Sequence, residues 1–468
     1  MQTIKAVKLK TSFLLVACIS LTNCTHSDPK LGLIPLSNLG STRTFHFKRA
    51  VTHFHSPFSF DACDDKGIVD KQINWNCVND VREAVCMDHE DVVFATDHPN
   101  NMARYPFEML LLHEAQDEWI LSRRGEKVGN RIRCPDGFLA DWYPGIETML
   151  LAWGLERHSS DNLDERISLY NGEDLRTRYE LEGKTGALIG IPHTESRKIE
   201  YLEKFRPQAI EIYNLHAALD PRINEKYLHQ SVWNRALVFA RYLLDPWNTL
   251  DANFIFVEFY QISPVYFEKW DDLLSKGILA TATAGADSHQ TIFKQKMSDG
   301  ERLDHHRRII RFFSNWLLTE KDDETSLKDA IVKGRNYVVM EAFGTPEGLD
   351  FHAENQQGKV IAEMGDQIFN KPASLVFHVP SLYPTLEYTN DPKPEIWAEI
   401  ILVDEAGKET SVQKSTEGQN IILKDPRSGH YRVHVWIKPH HLKSHLYTKR
   451  LSDQNFLWVI SNPIHIAE

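Results

Sequence analysis

The chain has 468 residues, too many for one compact domain of ordinary size, and its 42% hydrophobic and 25% charged content is that of a soluble globular protein. A formal net charge of −12 disfavours non-specific binding to nucleic acid or to an anionic membrane surface. It leaves an anionic substrate open, because a metal cluster supplies local positive charge.

The chain starts with Lys5, Lys8 and Lys10, followed by an apolar stretch, residues 13–21, too short to span a membrane. That stretch ends at Leu21-Thr22-Asn23-Cys24, which resembles a bacterial lipoprotein signal with Cys24 as the acylated residue. Leu15-Val16-Ala17-Cys18 matches better by residue type, but it leaves a very short apolar stretch, so Cys24 is preferred. An ordinary secretory signal with incidental cysteines is the alternative. Both readings predict export, with residues 1–23 as leader; the first adds a lipid anchor in the membrane, on the periplasmic or cell-surface side. Residues 24–44, with Pro29, Gly32, Pro35 and Gly40, read as a tether. Cys63, Cys77, Cys86 and Cys134 remain. An even number in an oxidising compartment predicts two disulfides, with three possible connectivities, against four free thiols. Their spacing fits no zinc ribbon or finger.

Short apolar runs at 49–54, 91–96, 187–192, 209–213, 254–260 and 278–284 predict strands. Residues 78–88, 197–205, 232–244 and 264–276 predict helices between them, as do 301–319 and 326–333 further on. Such alternation predicts an α/β fold with a parallel sheet over residues 45–343. Gly344-Thr345-Pro346-Glu347-Gly348 reads as a linker. The β-rich runs 374–379, 397–403, 420–423 and 431–437, separated by turns, predict a small antiparallel β-sandwich over residues 349–468.

Chemistry gathers where the predicted strands end. His53 and His55 sit two apart, so in an extended strand both rings face one side. Asp61 follows shortly after. The second run leads into Thr96-Asp97-His98, the third into His193-Thr194-Glu195, and the last into Gly285-Ala286-Asp287-Ser288-His289. Asp287 and His289 repeat the spacing of the first pair. One histidine at a strand end is usually structural. Four ends with matching chemistry point to one centre, on the edge where parallel α/β proteins build their sites. Carboxylates together with imidazoles suit Zn, Mn or Fe.

Taken in order, His53-Phe54-His55-Ser56, Thr96-Asp97-His98, His193 and Gly285-Ala286-Asp287-Ser288-His289 resemble the four motifs of the polymerase and histidinol phosphatase (PHP) family of metal-dependent phosphoesterases. Tyr143-Pro144-Gly145-Ile146-Glu147 is similar to the segment that carries the family's metal-bridging glutamate. The likeness implies a distorted (β/α)7 barrel over roughly residues 45–343, holding two or three divalent ions in a cleft at the strands' C-terminal ends. It implies that His53, His55, Glu147 and Asp287 share one ion and act in catalysis through an activated water. Glu147 then bridges to a second ion held by His193 and one more histidine, for which His158 is the candidate against a surface position. Asp61, His98 and His289 hold a third, with Asp64 and Asp65 competing for the place of Asp61.

Arg104 and Arg197 closely follow His98 and His193 and are candidates to hold a substrate phosphate through bidentate hydrogen bonds; surface salt bridges are the commoner fate of arginines. Glu211 and Asn214 end a predicted strand beside the cleft and receive no ligand role. His305, His306, His440, His441 and His445 lack a strand-end context and are expected at the surface. The activity that follows is hydrolysis of a small-molecule phosphate ester. A surface-anchored binding lipoprotein with a non-catalytic barrel, and a metal-dependent amidohydrolase-like enzyme, are the alternatives. Nuclease action fits poorly with export and an acidic chain.

Overall fold

A computed structural model describes residues 30–229, 233–245, 250–297, 299–369, 371–384 and 392–467. The leader and Cys24 lie outside the described residues. The fold is mixed α/β, with one mixed sheet of 18 strands and smaller β-sheets beside it.

The first long strand, β1 (Phe45–Phe54), alternates buried and exposed at its start, then buries its last six residues. Burial on both faces marks a strand inside an α/β core. It pairs in parallel with β2 (Val92–Asp97), buried throughout. Parallel to β2 runs β3 (Leu139–Glu147). The short β4 (Leu151–Trp153) is antiparallel to β3 and to β5 (Leu188–Ile191). Thus β3 and β5 point the same way. Parallel pairing continues through β6 (Ala209–Asn214) to β7 (Thr281–Gly285). Just past β7, Ser288 makes an isolated parallel bridge to Phe54 at the end of β1. The C-terminal ends of β1, β2, β3, β5, β6 and β7 therefore share one edge.

Two expected elements differ. Residues 254–260 belong to a 3-10 helix, Ala252–Phe259, in which every residue but Glu258 is buried. A run buried on all sides carries no period to separate strand from helix, and the Asp251 side chain caps it by accepting from the Asn253 amide at 3.0 Å. Residues 301–319 divide into a helix, His306–Ile310, and β8 (Ser314–Thr319), which lies antiparallel to β1. His305 and His306 are buried rather than solvated. They go inward with Arg307 and Arg308 because the segment brings its own counter-charges. Glu301 lies 2.5 Å from Arg307, and Asp299 lies 2.7 Å from Arg308. His441 is likewise buried, its Nε2 3.1 Å from the Phe343 carbonyl oxygen. His440 and His445 instead pair with carboxylates, Asp453 and Asp251.

The sheet does not stop at residue 343. β8 pairs with β9 (Asn336–Val339), and β9 with a strand from near the C-terminus, Phe456–Ser461. That strand continues antiparallel to Gly429–Lys438 and then to Glu395–Val403. Asp350–Glu354, Val360–Glu363, Ser374–His378 and Asn420–Lys424 form a separate four-stranded antiparallel sheet. One apolar cluster joins residues of both regions, from Phe54 and Trp142 to Phe377 and Val435. Asn462 clamps β7 from the C-terminal side: its Oδ1 accepts from the Ala282 amide at 2.7 Å and its Nδ2 donates to the Ala282 carbonyl at 3.1 Å.

The cysteines pair Cys63–Cys77 and Cys86–Cys134. The first disulfide ties the loop carrying Asp61 to the helix Trp75–Met87, whose first turn is capped by the Asn74 side chain. Among the described residues no helix is long and apolar enough to cross a membrane.

Candidate metal centre

Two backbone hydrogen bonds lock the end of β1 to the turn after β7. The Asp287 amide donates to the His53 carbonyl at 2.9 Å, and the His55 amide to the Ser288 carbonyl at 3.2 Å. The two i, i+2 pairs are thereby set face to face. Asp287 and His193 both adopt left-handed backbone, with φ of 52° and 50°. That conformation costs a non-glycine residue about 1–2 kcal/mol, and such strain gathers at functional sites.

His53 Nε2 and His55 Nε2 lie 3.3 Å apart. Both face Asp287 Oδ1, at 3.3 and 3.1 Å. Two donors each ~2.1 Å from one ion, at the tetrahedral angle, stand ~3.4 Å apart, so this triangle has the dimensions of a cation site. Glu147, at the end of β3, joins His53 and His55 in a group whose ligand atoms all lie within 4.8 Å of one another.

A second group forms across the cleft. Asp61 Oδ2 lies 3.1 Å from His98 Nε2 and 3.3 Å from His289 Nε2, and His55 completes the set. Asp64 is drawn away by Arg302 at 2.8 Å, and Asp65 is exposed. A third set has His193 Nε2 3.3 Å from Asp287 Oδ2 and 3.7 Å from Glu147 Oε1. Asp287 thus offers one oxygen to the first group and the other to the third.

The outer contacts fix how each ring presents its nitrogen. His53 Nδ1 donates to Glu211 Oε1 at 2.7 Å, which turns the Nε2 lone pair to the centre. Glu211 also accepts from the His193 amide at 2.8 Å through Oε2. This carboxylate packs so closely on β7 that a Cβ at Gly285 would lie 1.9 Å from Glu211 Oε1. Glycine two residues before Asp287 is therefore a packing requirement. His55 Nδ1 donates to Ser59 Oγ at 3.0 Å, and that hydroxyl donates to Asp61 Oδ1 at 2.7 Å. His289 Nδ1 donates to the Asp287 carbonyl at 2.9 Å. Ser56 donates through both its amide and its hydroxyl to Asp97, at 2.6 Å each, holding the backbone just past His55.

Proton affinities follow this geometry. Burial and the neighbouring His289 push His55 down to about 3, so it stays a neutral donor. Burial opposes the charge on His98, but Asp61 and Glu147 override it and lift the ring to about 11. Burial likewise opposes ionisation of Glu147, yet His98 and the other imidazoles hold it down to about 2. Asp61 and Asp287 also lie below the usual carboxylate range against the pull of burial, held there by the surrounding histidines. The centre therefore presents ionised carboxylates beside the neutral ring of His55, and a divalent cation would take the place of the proton that these carboxylates hold on His98.

Nearly all the expected ligands converge: His53, His55, Asp61, His98, Glu147, His193, Asp287 and His289. His158 does not join them. Both its ring nitrogens are engaged elsewhere, Nδ1 with Tyr170 Oη at 3.0 Å and Nε2 with the Tyr105 carbonyl at 2.9 Å. The additional histidine at the centre is His216, grouped with Asp287 and His289. It follows β6, where sequence reasoning placed Glu211 and Asn214 without a role. Arg104 is exposed, its Nε donating to the Asn100 carbonyl at 2.8 Å. Arg197 reaches Met149, two residues past Glu147, with Nη1 2.7 Å from its sulfur.

No protein-family model matches this chain, and no curated protein matches it. Among solved structures it is similar to a two-domain protein containing a predicted PHP-like metal-dependent phosphoesterase from Bacteroides vulgatus, at 10% identity and a TM-score of 0.34, over 87% of this chain and 94% of that one. It is also similar to PsfC from Pseudomonas syringae, at 12% identity and a TM-score of 0.34, over 63% of this chain and 93% of that one.

Proposed function

We propose that the chain is a metal-dependent hydrolase of the PHP type that cleaves a small phosphate ester. The observation that carries this reading is the convergence of His53, His55 and Asp287 at 3.1–3.3 Å, next to a second set built on Asp61, His98 and His289. The pairings from β1 through β7, with the bridge from Ser288 back to Phe54, support a distorted seven-stranded barrel for residues 45–343. Residues 349–468 act as an accessory β-domain in this proposal.

Divalent ions, Zn, Mn or Fe, supply Lewis acidity toward a phosphoryl oxygen and make a water nucleophilic near neutral pH. His53, His55, Asp287 and Glu147 hold one ion in this reading, and Asp61, His98 and His289 another. His193 serves a further position with Glu147, and His216 adds a nitrogen beside Asp287 and His289. Glu211 keeps the proton of His53 on Nδ1, and Ser59 couples His55 to Asp61, so neither ring turns away. Arg197, whose guanidinium lies against Met149, is the candidate to hold phosphate oxygens in this reading. No side-chain nucleophile is needed. Export and anchoring through Cys24, in the periplasm or at the cell surface, complete the proposal; the two disulfides are compatible with an oxidising compartment.

The test is elemental analysis of the purified protein joined to phosphate release from a panel of phosphomonoesters and phosphodiesters. Turnover that requires Zn, Mn or Fe and disappears in His53→Ala/His55→Ala supports the proposal. Phosphatase activity that survives this double change overturns it.

A further inference from the structure

Beside the metal centre opens a cavity of about 490 Å³, within the range of small-molecule pockets. His216 belongs to both: it lines the cavity, and its ring centroid lies 5.3 Å from that of His289. The remaining wall is mainly apolar, with Leu219, Ala236, Phe239, Ile292 and Phe293. Its two charged residues, Asp220 and Arg222, neutralise each other at 2.8 Å.

The wall is built on the segments that carry the donors. Leu219 follows His216 by three residues, and Ile292 and Phe293 follow His289 by three and four. Asp304 pins that second segment by accepting from the Ile292 amide at 2.6 Å and the Phe293 amide at 2.8 Å. Phe293 stacks on Phe239, with ring centroids 5.0 Å apart. Ile292 is 51% exposed. Among the described residues this apolar wall is partly open to water beside a polar centre, and a polar-rimmed apolar patch of this kind marks a ligand-binding groove.

We propose that the phosphate ester cleaved at the metal centre carries an aromatic or alkyl group on its alcohol side, and that this group seats against Leu219, Ala236, Phe239, Ile292 and Phe293. The inference rests on the phosphoesterase reading. Hydrolysis then breaks the bond between phosphorus and the alcohol oxygen. The water oxygen joins phosphorus, and the alcohol leaves with a proton. The polar phosphate stays with the metal ligands while the apolar group selects the substrate.

The full-length, metal-loaded protein is given 2-phenylethyl phosphate and ethyl phosphate, whose leaving alcohols are similar in reactivity. A phenyl ring buried on this wall raises kcat/KM about ten- to hundredfold. Ala236→Trp, which fills the cavity, brings the ratio of the two substrates toward one. Phe293→Ala, which removes wall instead of adding bulk, lowers the ratio mainly through KM and stands in if Ala236→Trp does not fold. Calorimetric binding of 2-phenylethylphosphonate and ethylphosphonate reads the same preference without turnover. Equal kcat/KM for both esters in the unmodified protein, or a ratio that survives both variants, overturns the apolar subsite and leaves the phosphoesterase reading standing. No phosphate release from either ester, nor from the wider panel, overturns the phosphoesterase reading, and equal or absent binding of the two phosphonates then removes the subsite as well.

Discussion

Two buried polar clusters sit close together in this molecule and end differently. The guanidinium of Arg49 is closed by the chain itself. It pairs with Glu341 at 2.7 and 3.2 Å and donates to the carbonyls of Ile34, Asp88 and His89. Glu341 in turn accepts from Ser314, Trp316 and Thr345. At the strand ends, by contrast, imidazole nitrogens of His53 and His55 face each other at 3.3 Å with a carboxylate oxygen against both. Among the described residues no arginine or lysine closes that set, and its dimensions suit a divalent cation. Burial of ionisable groups is thus no sign of a site. Metal-ligand side chains that converge without an arginine or lysine partner are one.

The contrast can be broken at either cluster. The largest effect on stability is expected from Arg49→Ala, which strands Glu341 in the core: a loss of about 3–5 kcal/mol, read by denaturant unfolding, with metal content per folded chain unchanged. Glu211→Gln weakens the support of His53 and is expected to lower metal affinity about 10–100-fold, read by titration against a competing chelator, with little change in stability. His158→Ala removes two hydrogen bonds and is expected to cost about 1 kcal/mol without altering metal stoichiometry. A drop in bound metal in His158→Ala would restore that residue to the centre.

The site was legible where its geometry is local. His53 with His55, and Asp287 with His289, declare themselves through a spacing of two, because side chains alternate along extended chain. Glu147 and His193 came with the motif order. Glu211 and His216 were not legible as site residues, since their part depends on β6 lying between β5 and β7, a fact of register. His158 had the right residue type after Glu147, but nothing local to show that Tyr170 and Tyr105 use its nitrogens. The same limit hid the 3-10 helix at Ala252–Phe259 and the burial of His305 and His306, where tertiary packing decides.

The most direct test of the open cluster is metal stoichiometry in the folded chain, measured by elemental analysis after dialysis against Zn, Mn or Fe. The unmodified protein is expected to retain about two or more equivalents, as a multinuclear hydrolytic site requires. His53→Ala/His55→Ala is expected to lose at least one equivalent with its circular dichroism unchanged. An unmodified protein that stays metal-free, or a double variant that keeps the full complement, would contradict the assignment of this cluster to a cation.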